Sequence, residues 1–424
     1  MKKEHRQHTW LRLFLWAHAI GVAIFYIALW LRTAPARDEQ RSKGSWQRPG
    51  TKNTHEGQQS TSAVAEDFVS IIVPARNEER NIRRCVTSLL EQVYPHFEVI
   101  VVDDDSTDGT AAILDEIARL HPQGNRLRVL RLHELPPGWA GKPHALHAGV
   151  QEARGNWLLF TDADTWHAPD ALRKSVKRAT EENIDLFTLG SRQELPGFWD
   201  RVMMPMAYLG ISMQYPSRLV NDPNSQVAIA NGQYILIRRS AYDAIGGYAR
   251  PDLRSTLLDD RDLAHVVKEN GFRLRFVDGR DLVNVHMYRG LEDAWRGWRK
   301  NVFLGSRGGL AFILLELIGL PLVSIAPFLL PLLMPVFRRG KVEASILTLL
   351  ELGPLLAYRM WIDAALDVPW YYAFTHPLAG AVFAGILAQS TWRILTGKGV
   401  DWRGRVYYQT QPEEHTEFSG SELH

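Results

Sequence analysis

The sequence predicts an α/β protein, a mostly parallel sheet flanked by helices, with α-helical transmembrane segments at both ends of the chain. Three observations carry this. Through the middle of the 424 residues, short apolar runs rich in β-branched side chains alternate with helix-period stretches, the pattern of strands joined by crossover helices. Two of those runs stop on carboxylates, Asp103-Asp104-Asp105 and Asp162-Ala163-Asp164, and open sheets of this kind bind ligands at the carboxyl ends of their strands. Long apolar stretches flank the middle on both sides, although a mean hydropathy of -0.19 over the whole chain would by itself suggest a soluble protein.

The chain begins with a basic segment, Lys2, Lys3, Arg6 and Arg12, followed by the apolar run Leu13 to Trp30, broken only by His18. That run reaches the roughly 18–20 residues a helix needs to span a bilayer. Ala34-Pro35-Ala36 can be read as a signal-peptidase site, whereas Trp16, Phe25, Tyr26 and Trp30 form the broad aromatic run of an uncleaved anchor. Residues 1–31 are therefore expected to be an N-terminal membrane anchor, and 32–66, polar with few apolar side chains, a flexible linker.

The globular part is expected over 67–307. Its strands should be Val69–Val73, Val99–Val102, Leu127–Leu130, Trp157–Phe160 and Leu186–Leu189, and its helices Glu78–Gln92, Asp108–Leu120, Ala145–Ala153 and Pro169–Ala179. Residues 308–397 then carry three apolar runs in succession, Leu310–Phe337, Ala344–Met360 and Tyr371–Leu395, with Trp, Tyr and Arg at their ends, which reads as a C-terminal membrane region. A basic then polar tail, 398–424, closes the chain. A formal charge of +2, from 49 basic and 47 acidic side chains, argues against a nucleic-acid partner. The single Cys85 excludes an internal disulfide and a Cys-based zinc cage, and it fits a reducing compartment.

The motifs come next. Three adjacent carboxylates after Val99–Val102 repel one another unless a cation or hydrogen-bond donors satisfy them; they read either as a solvated turn, with Thr107 or Asp108 capping the next helix, or as a ligand site. Asp162 and Asp164 tip that balance, because hard oxygens at this spacing can meet a Mg2+ or Mn2+ that also holds a diphosphate. Lys142 lies in GWAGKPHALHAG, where Gly138 and Gly141 allow close backbone approach, Pro143 suits the first turn of a helix starting near His144, and the ammonium suits phosphate. His144 and His147 could share a helix face but lack an evident third metal ligand. Asp259, Asp260 and Asp262 precede a helical pattern that stops at Gly271. Acids there gain about 0.3–1 kcal/mol from the helix dipole, and a general base could use the same position. Asn231-Gly232-Gln233 precedes the run Tyr234–Ile237, and Gly246-Gly247 marks a tight turn.

Taken in order, VSIIVPARNEE, VVDDDSTDGT, GKPHAL, FTDADT, NGQYILIRRSAYDAIGGY and DDRDL resemble a family 2 glycosyltransferase of the GT-A fold. The resemblance covers Phe68 to Gly271 and is closest to the membrane-attached branch that includes hopanoid-associated and carotenoid (diaponeurosporenoate-type) glycosyltransferases, on the strength of GWAGKPHAL and of His376 to Tyr407. It implies that Pro74, Ala75 and Glu78 line the nucleotide pocket, that Asp104 bonds the base, and that Lys142 approaches base or diphosphate. Asp162 would contact the donor, Asp164 would bind the metal with His286 as an additional ligand, and Asp260 would be the general base. Asn231, Gly232, Gln233, Arg296 and Arg299 would meet acceptor or diphosphate. Two departures matter. The first acid of the family's Glu-Asp pair is the shorter Asp259, and the Gln-x-x-Arg-Trp element of processive synthases is replaced by WRGWRKN, which argues for single sugar transfer.

The resemblance thus implies an inverting, metal-dependent transfer of a hexose from a nucleotide-sugar donor, UDP-glucose in the first instance, to a membrane lipid. Polyprenyl phosphate, ceramide or diacylglycerol acceptors, a processive polysaccharide synthase, and a non-catalytic membrane scaffold are the rival readings; the segment Val202 to Val220 would discriminate among acceptors. Nucleotide sugars are cytosolic, so the expectation is a multi-pass protein of the cell membrane with a cytosolic catalytic domain. With Arg338, Arg339 and Lys341 also expected inside, and Asp363 and Asp367 in a loop lacking Lys and Arg, Leu310–Phe337 would have to enter the bilayer and return, its prolines making a broken segment.

Overall fold

The computed structural model describes residues 2–33, 67–305, 309–333, 341–396, 400–402 and 405–407. The expected linker, apart from Arg32 and Thr33, and most of the expected tail lie outside the described residues.

A seven-stranded sheet forms the centre, in the order β3-β2-β1-β4-β8-β6-β9, where β1 is Val69–Ala75, β2 Phe97–Asp104, β3 Leu127–Leu132, β4 Trp157–Phe160, β6 Leu186–Gly190, β8 Ile235–Arg238 and β9 Leu274–Asp278. Only β8 runs against the rest, antiparallel to both β4 and β6; the sheet is mixed, and mostly parallel as expected. A second, three-stranded sheet, β5-β10-β7, comprises Thr165–His167, Val283–Val285 and Arg192–Gln193. The central strands are apolar on both faces because both faces are covered. Along β1 the side chains alternate between two cores: Ile71 and Val73 pack against α2 (Ile82–Leu90), α3 (Thr110–Leu120) and α5 (Ala171–Glu181), while Ile72 packs towards α4 (Gly141–Glu152) and α7 (Asp259–Glu269).

Helix α2 is shorter than the predicted Glu78–Gln92. Asn77 takes a positive φ of 55° and the Glu78 N–H is spent on Thr110 Oγ1 at 2.8 Å, so the segment after β1 stays a loop over the strand end. The strand order reverses between β1 and β4, and a sheet of this kind opens its ligand crevice at such a switch point. Helix α4 lies close over it because Gly149 has no side chain: a Cβ there would come within 2.5 Å of Ile72 Cγ2.

Among the described residues, four helices are long and apolar enough to cross a membrane, over Trp10–Thr33, Ile313–Pro331, Val342–Ala365 and Trp370–Arg393. They belong to α1 (Lys2–Thr33), the pair α9 (Gly309–Ser324) and α10 (Ala326–Leu333), α11 (Lys341–Ala365), and α12 (His376–Leu395) with the 3-10 turn before it. Two helices complete the connection to the sheet, α6 (Phe198–Gln214) and α8 (Gly290–Gly305). Helices α1 and α11 run side by side in the same direction. Arg12 pairs with Glu343 at 2.6 Å, His18 with Glu351 at 2.8 Å, and Thr33 Oγ1 lies 3.0 Å from the Tyr358 hydroxyl.

This arrangement corrects the expected course of Leu310–Phe337. Val323 accepts a hydrogen bond from Tyr26, and Leu330 packs with Leu15, Ala19 and Leu347. So α9 and α10 carry the chain to the Arg12 end without turning back, and the break near Ile325 is a kink. Asp363 and Asp367 do not sit in a loop remote from the sheet either. Asp363 is inside α11, fully buried on Arg359, and Asp367 reaches Arg192 of β7 at 3.3 Å. The prolines and the local charge pattern were compatible with a re-entrant segment; helix packing against α1, which a charge count does not register, decides otherwise.

Candidate active site

Four strand or helix ends converge at the switch point. Pro74 and Ala75 finish β1, Asp104 finishes β2, Asp162 follows β4, and Asp259 and Asp260 open α7. With Glu78, Lys142, Asp164, Asn231, Gly232 and Gln233 they line a single cavity of about 970 Å³.

Lys142 stands at the start of α4, and its Nζ lies 2.8 Å from Asp162 and 3.1 Å from Asp259. Burial alone would favour the neutral amine, but Asp162, Asp259 and Asp260 hold it protonated, well above the usual lysine range. Asp260 accepts backbone N–H groups from Gly232 at 3.1 Å and Arg261 at 2.8 Å. Burial and the charge of Asp259 raise its pKa against the opposing pull of Lys142, the direction a general base working near neutrality needs. Gly232 is a close-approach glycine. A Cβ would sit 3.0 Å from Lys142 Nζ, 3.3 Å from Asp260 Oδ2 and 3.5 Å from Asp162 Oδ2, which also shows that these three groups surround one point.

The loop after β1 lines the sheet end of the cavity. Arg76 Nη1 donates to the Asp104 carbonyl at 2.5 Å, and Asn81 Nδ2 donates to Glu78 Oε2 at 3.1 Å. Asn231 is held by its own donors to the Leu189 carbonyl at 2.8 Å and Ser191 Oγ at 3.1 Å. Gln233 takes the Thr161 hydroxyl on its carbonyl at 2.8 Å, tying the Asn-Gly-Gln turn to the end of β4.

Three expected site residues lie elsewhere. His286 does not line the cavity; Met287 and Tyr288 after it do. Among the described residues no group of three or more His, Cys, Asp and Glu is arranged to hold a metal ion. Arg296 is exposed and bonded to Glu292 one turn away, and Arg299, absent from the lining, has its carbonyl taken by Ser390. On α8 it is Trp298 that faces the cavity, and a turn of 3.6 residues carries both arginines off that face. Sequence reasoning missed Arg76, Ser191, Gln193, Arg261 and Arg280, all of which line it. Arg76 adjoins Ala75 inside the recognised VPARNEE and Arg261 adjoins Asp260 inside DDRDL, so both could have been taken with their neighbours; the others have no local signal.

The cavity does not stop at the sheet. It continues between α6, where it is lined from Met204 to Tyr215, the Leu315–Ser324 face of α9, Trp361 and Ile362 of α11, Phe383 and Leu387 of α12, and Phe25, Tyr26 and Thr33 of α1. A charged end and an apolar arm among membrane helices are thus one space.

Residues 70–246 match the family profile described as Glycosyl transferase family 2. The chain is 27% identical over 354 residues to a 4,4'-diaponeurosporenoate glycosyltransferase of Staphylococcus aureus, covering 80% of this chain and 88% of that protein. It is 32% identical over 202 residues to a beta-monoglucosyldiacylglycerol synthase of a Nostoc species, covering 46% of this chain and 40% of the relative; the chain spans less than half the length of some curated relatives it matches. Among solved structures, a mannosyltransferase from Pyrobaculum calidifontis in complex with GDP-Man and Mn2+ superposes with a TM-score of 0.51 at 21% identity, covering 87% of this chain and 99% of that one, and shares the GT-A fold.

Proposed function

We propose, from the premise that this chain belongs to glycosyltransferase family 2, that it transfers a hexose, glucose from UDP-glucose, with inversion to a hydroxyl or carboxyl of a membrane lipid such as a carotenoid or hopanoid. The observation that carries this reading is the continuity of the cavity from the Asp162, Asp259 and Asp260 cluster to the faces of α1, α9 and α11. A water-soluble acceptor would not need an apolar arm walled by membrane helices. The relatives named for a carotenoid acid and for a diacylglycerol favour a lipid-like acceptor as well.

In this reading the loop after β1, with Pro74, Ala75 and Glu78, and Asp104 take the nucleoside, and Asp162 the donor. The clustered carboxylates are hard oxygen donors, and the ammonium of Lys142 already occupies a cation position among them, so the residues suit a divalent cation, Mg2+ or Mn2+, held through Asp164. Such an ion would neutralise charge on the departing diphosphate. Asp260, with its raised pKa, removes the acceptor proton as the hydroxyl attacks the anomeric carbon from the face opposite the leaving group, and Gly232 and Arg261 N–H groups hold its carboxylate in position.

For orientation, nucleotide-sugar donors are cytosolic, which favours a cytosolic catalytic domain. Helix α12 begins beside Tyr26 and binds α8 through Ser390; lying in the near leaflet, it would keep the tail cytosolic too. The test is UDP-glucose with Mn2+ or Mg2+ and membrane lipid extract. UDP release together with a new glucosylated lipid is expected, and a protein that binds UDP-glucose but forms no glycolipid with any extract would be a scaffold instead.

A further inference from the structure

Next to the acid cluster, Thr161, Thr165 and His167 form a buried polar knot that does not line the cavity, and its role follows from where its hydrogens go. The Thr161 hydroxyl donates to the Gln233 carbonyl at 2.8 Å, and the Thr165 hydroxyl donates to the Asp162 carbonyl at 2.8 Å. A hydroxyl has one proton to give, so both are committed. His167 Nε2 lies 3.1 Å from Thr161 Oγ1 and 2.9 Å from Thr165 Oγ1, and it can meet those two oxygens only as a donor. Burial pushes the imidazole down to about 3, so the ring is neutral with a single N–H, and the two threonines place that hydrogen on Nε2. The opposite tautomer would set lone pairs against one another in a buried place.

The imidazole is itself held. Its ring lies against Tyr234 with centroids 5.7 Å apart, and its backbone N–H donates to Ser88 Oγ at 3.1 Å. The two carbonyls it acts on belong to different halves of the site. Asp162 carries the carboxylate that holds Lys142, on the donor side of the transferase reading, on which this inference rests. Gln233 closes the Asn231-Gly232-Gln233 turn, whose Gly232 N–H holds Asp260 at 3.1 Å. One N–H thus ties the strand end bearing the donor-side acid to the turn supporting the general base, without touching either substrate. Small displacements of such groups are expensive, because reaction needs them within a fraction of an ångström of their productive places.

We infer that His167 is a positioning residue, whose Nε2–H sets the spacing of Asp162 and Asp260 through Thr165 and Thr161. The test uses the full-length protein in lipid nanodiscs with UDP-glucose, Mn2+ and membrane lipid extract. His167→Phe keeps a ring and deletes the donor; kcat/KM is expected to fall by about 10-fold to 100-fold, the usual loss for a residue one step removed from a site, with little change in the thermal midpoint. His167→Gln, whose amide N–H can stand where Nε2–H stood, is expected to recover most of that loss. Thr165→Val and Thr161→Val keep the side-chain shape without the hydroxyl and separate the two arms. The first should mainly raise KM for UDP-glucose, the second should mainly lower kcat, and neither should add its full effect to His167→Phe. A residue that only fills the core moves neither the KM-against-kcat split nor the rescue by Gln. A His167→Phe protein as active as the parent, or a loss that His167→Gln leaves unrepaired, overturns the inference; should both His167 variants fail to fold, equal effects of the two threonine changes on KM and kcat overturn it. A parent protein that forms no glycolipid removes the transferase reading instead. Calorimetric affinity for UDP-glucose is expected to weaken in Thr165→Val in either case, and an unchanged value overturns the link from His167 to Asp162 on its own.

Discussion

Lys142 with Asp162 and Arg359 with Asp363 are ion pairs of the same length, 2.8 Å each, set in different surroundings. The side chains of the first are about a third exposed, at 32% and 30%, inside a cavity open to ligands; those of the second are at 0% and 0%. Arg359 also donates to the Arg201 carbonyl, joining α11 to α6. An accessible pair can be exchanged for a ligand and its ion, because water and solutes repay the charges when they separate. A sealed pair cannot, so it serves as a pin between the membrane helices and the sheet. Identical geometry therefore says nothing about role until access is known.

Four predictions test that contrast. Asp260→Asn should lower glucosyl transfer by about 10²–10⁴-fold, the usual size of a general-base loss, with little change in the unfolding midpoint; if Asp260 only caps α7, the change will instead be a small loss of stability. Arg359→Met alone strands a buried carboxylate and should cost about 3–5 kcal/mol, read as a lower midpoint of denaturation in detergent. Adding Asp363→Leu should restore most of it, and a silent single variant would erase the distinction drawn between the two pairs. Gly232→Ala presses a methyl against the ends of Lys142 and Asp260, which are flexible, so it should cost less than about 1 kcal/mol in stability while lowering transfer several-fold. The smallest effect is a pH effect. Burial raises the pKa of Glu98, but the Arg154 guanidinium, Ser70 and the Arg154 N–H outweigh it and the folded value is lowered. A lowered folded value means stabilisation that is full above the unfolded carboxylate range and is lost as pH falls through the folded one. Glu98→Gln should remove about 1 kcal/mol at neutral pH, discounted because Arg154 is largely exposed, and the difference from the parent protein should vanish once the pH has fallen through the lowered folded value.

The strands could be read from the sequence because each is a short apolar run closed by a turn, and Trp157–Phe160 has the same bounds in the structure. The direction of β8 could not, since Tyr234–Ile237 reads the same either way and only its neighbours β4 and β6 fix it. At the site, Asp162, Lys142 and Asp260 could be named from motifs, and they do share one cavity. What the motifs did not contain is that Lys142 sits on the acids, because the two partners, Asp162 and Asp259, are far from it in sequence and reach it only through the packing of α4 and α7. Arg296 and Arg299 were misjudged for the opposite reason: their charge was visible but the facing of α8 was not.

Phe25 and Tyr26 belong to the first helix of the chain, while Leu315, Trp361 and Phe383 come from its last third, and all five bound the same space. During synthesis the sheet can fold long before its lower wall exists. Under the proposed function, a ribosome-bound or C-terminally shortened chain would hold the acid cluster open to bulk water and is expected to hydrolyse donor wastefully, whereas the finished, inserted polypeptide would shelter the sugar until an acceptor arrives.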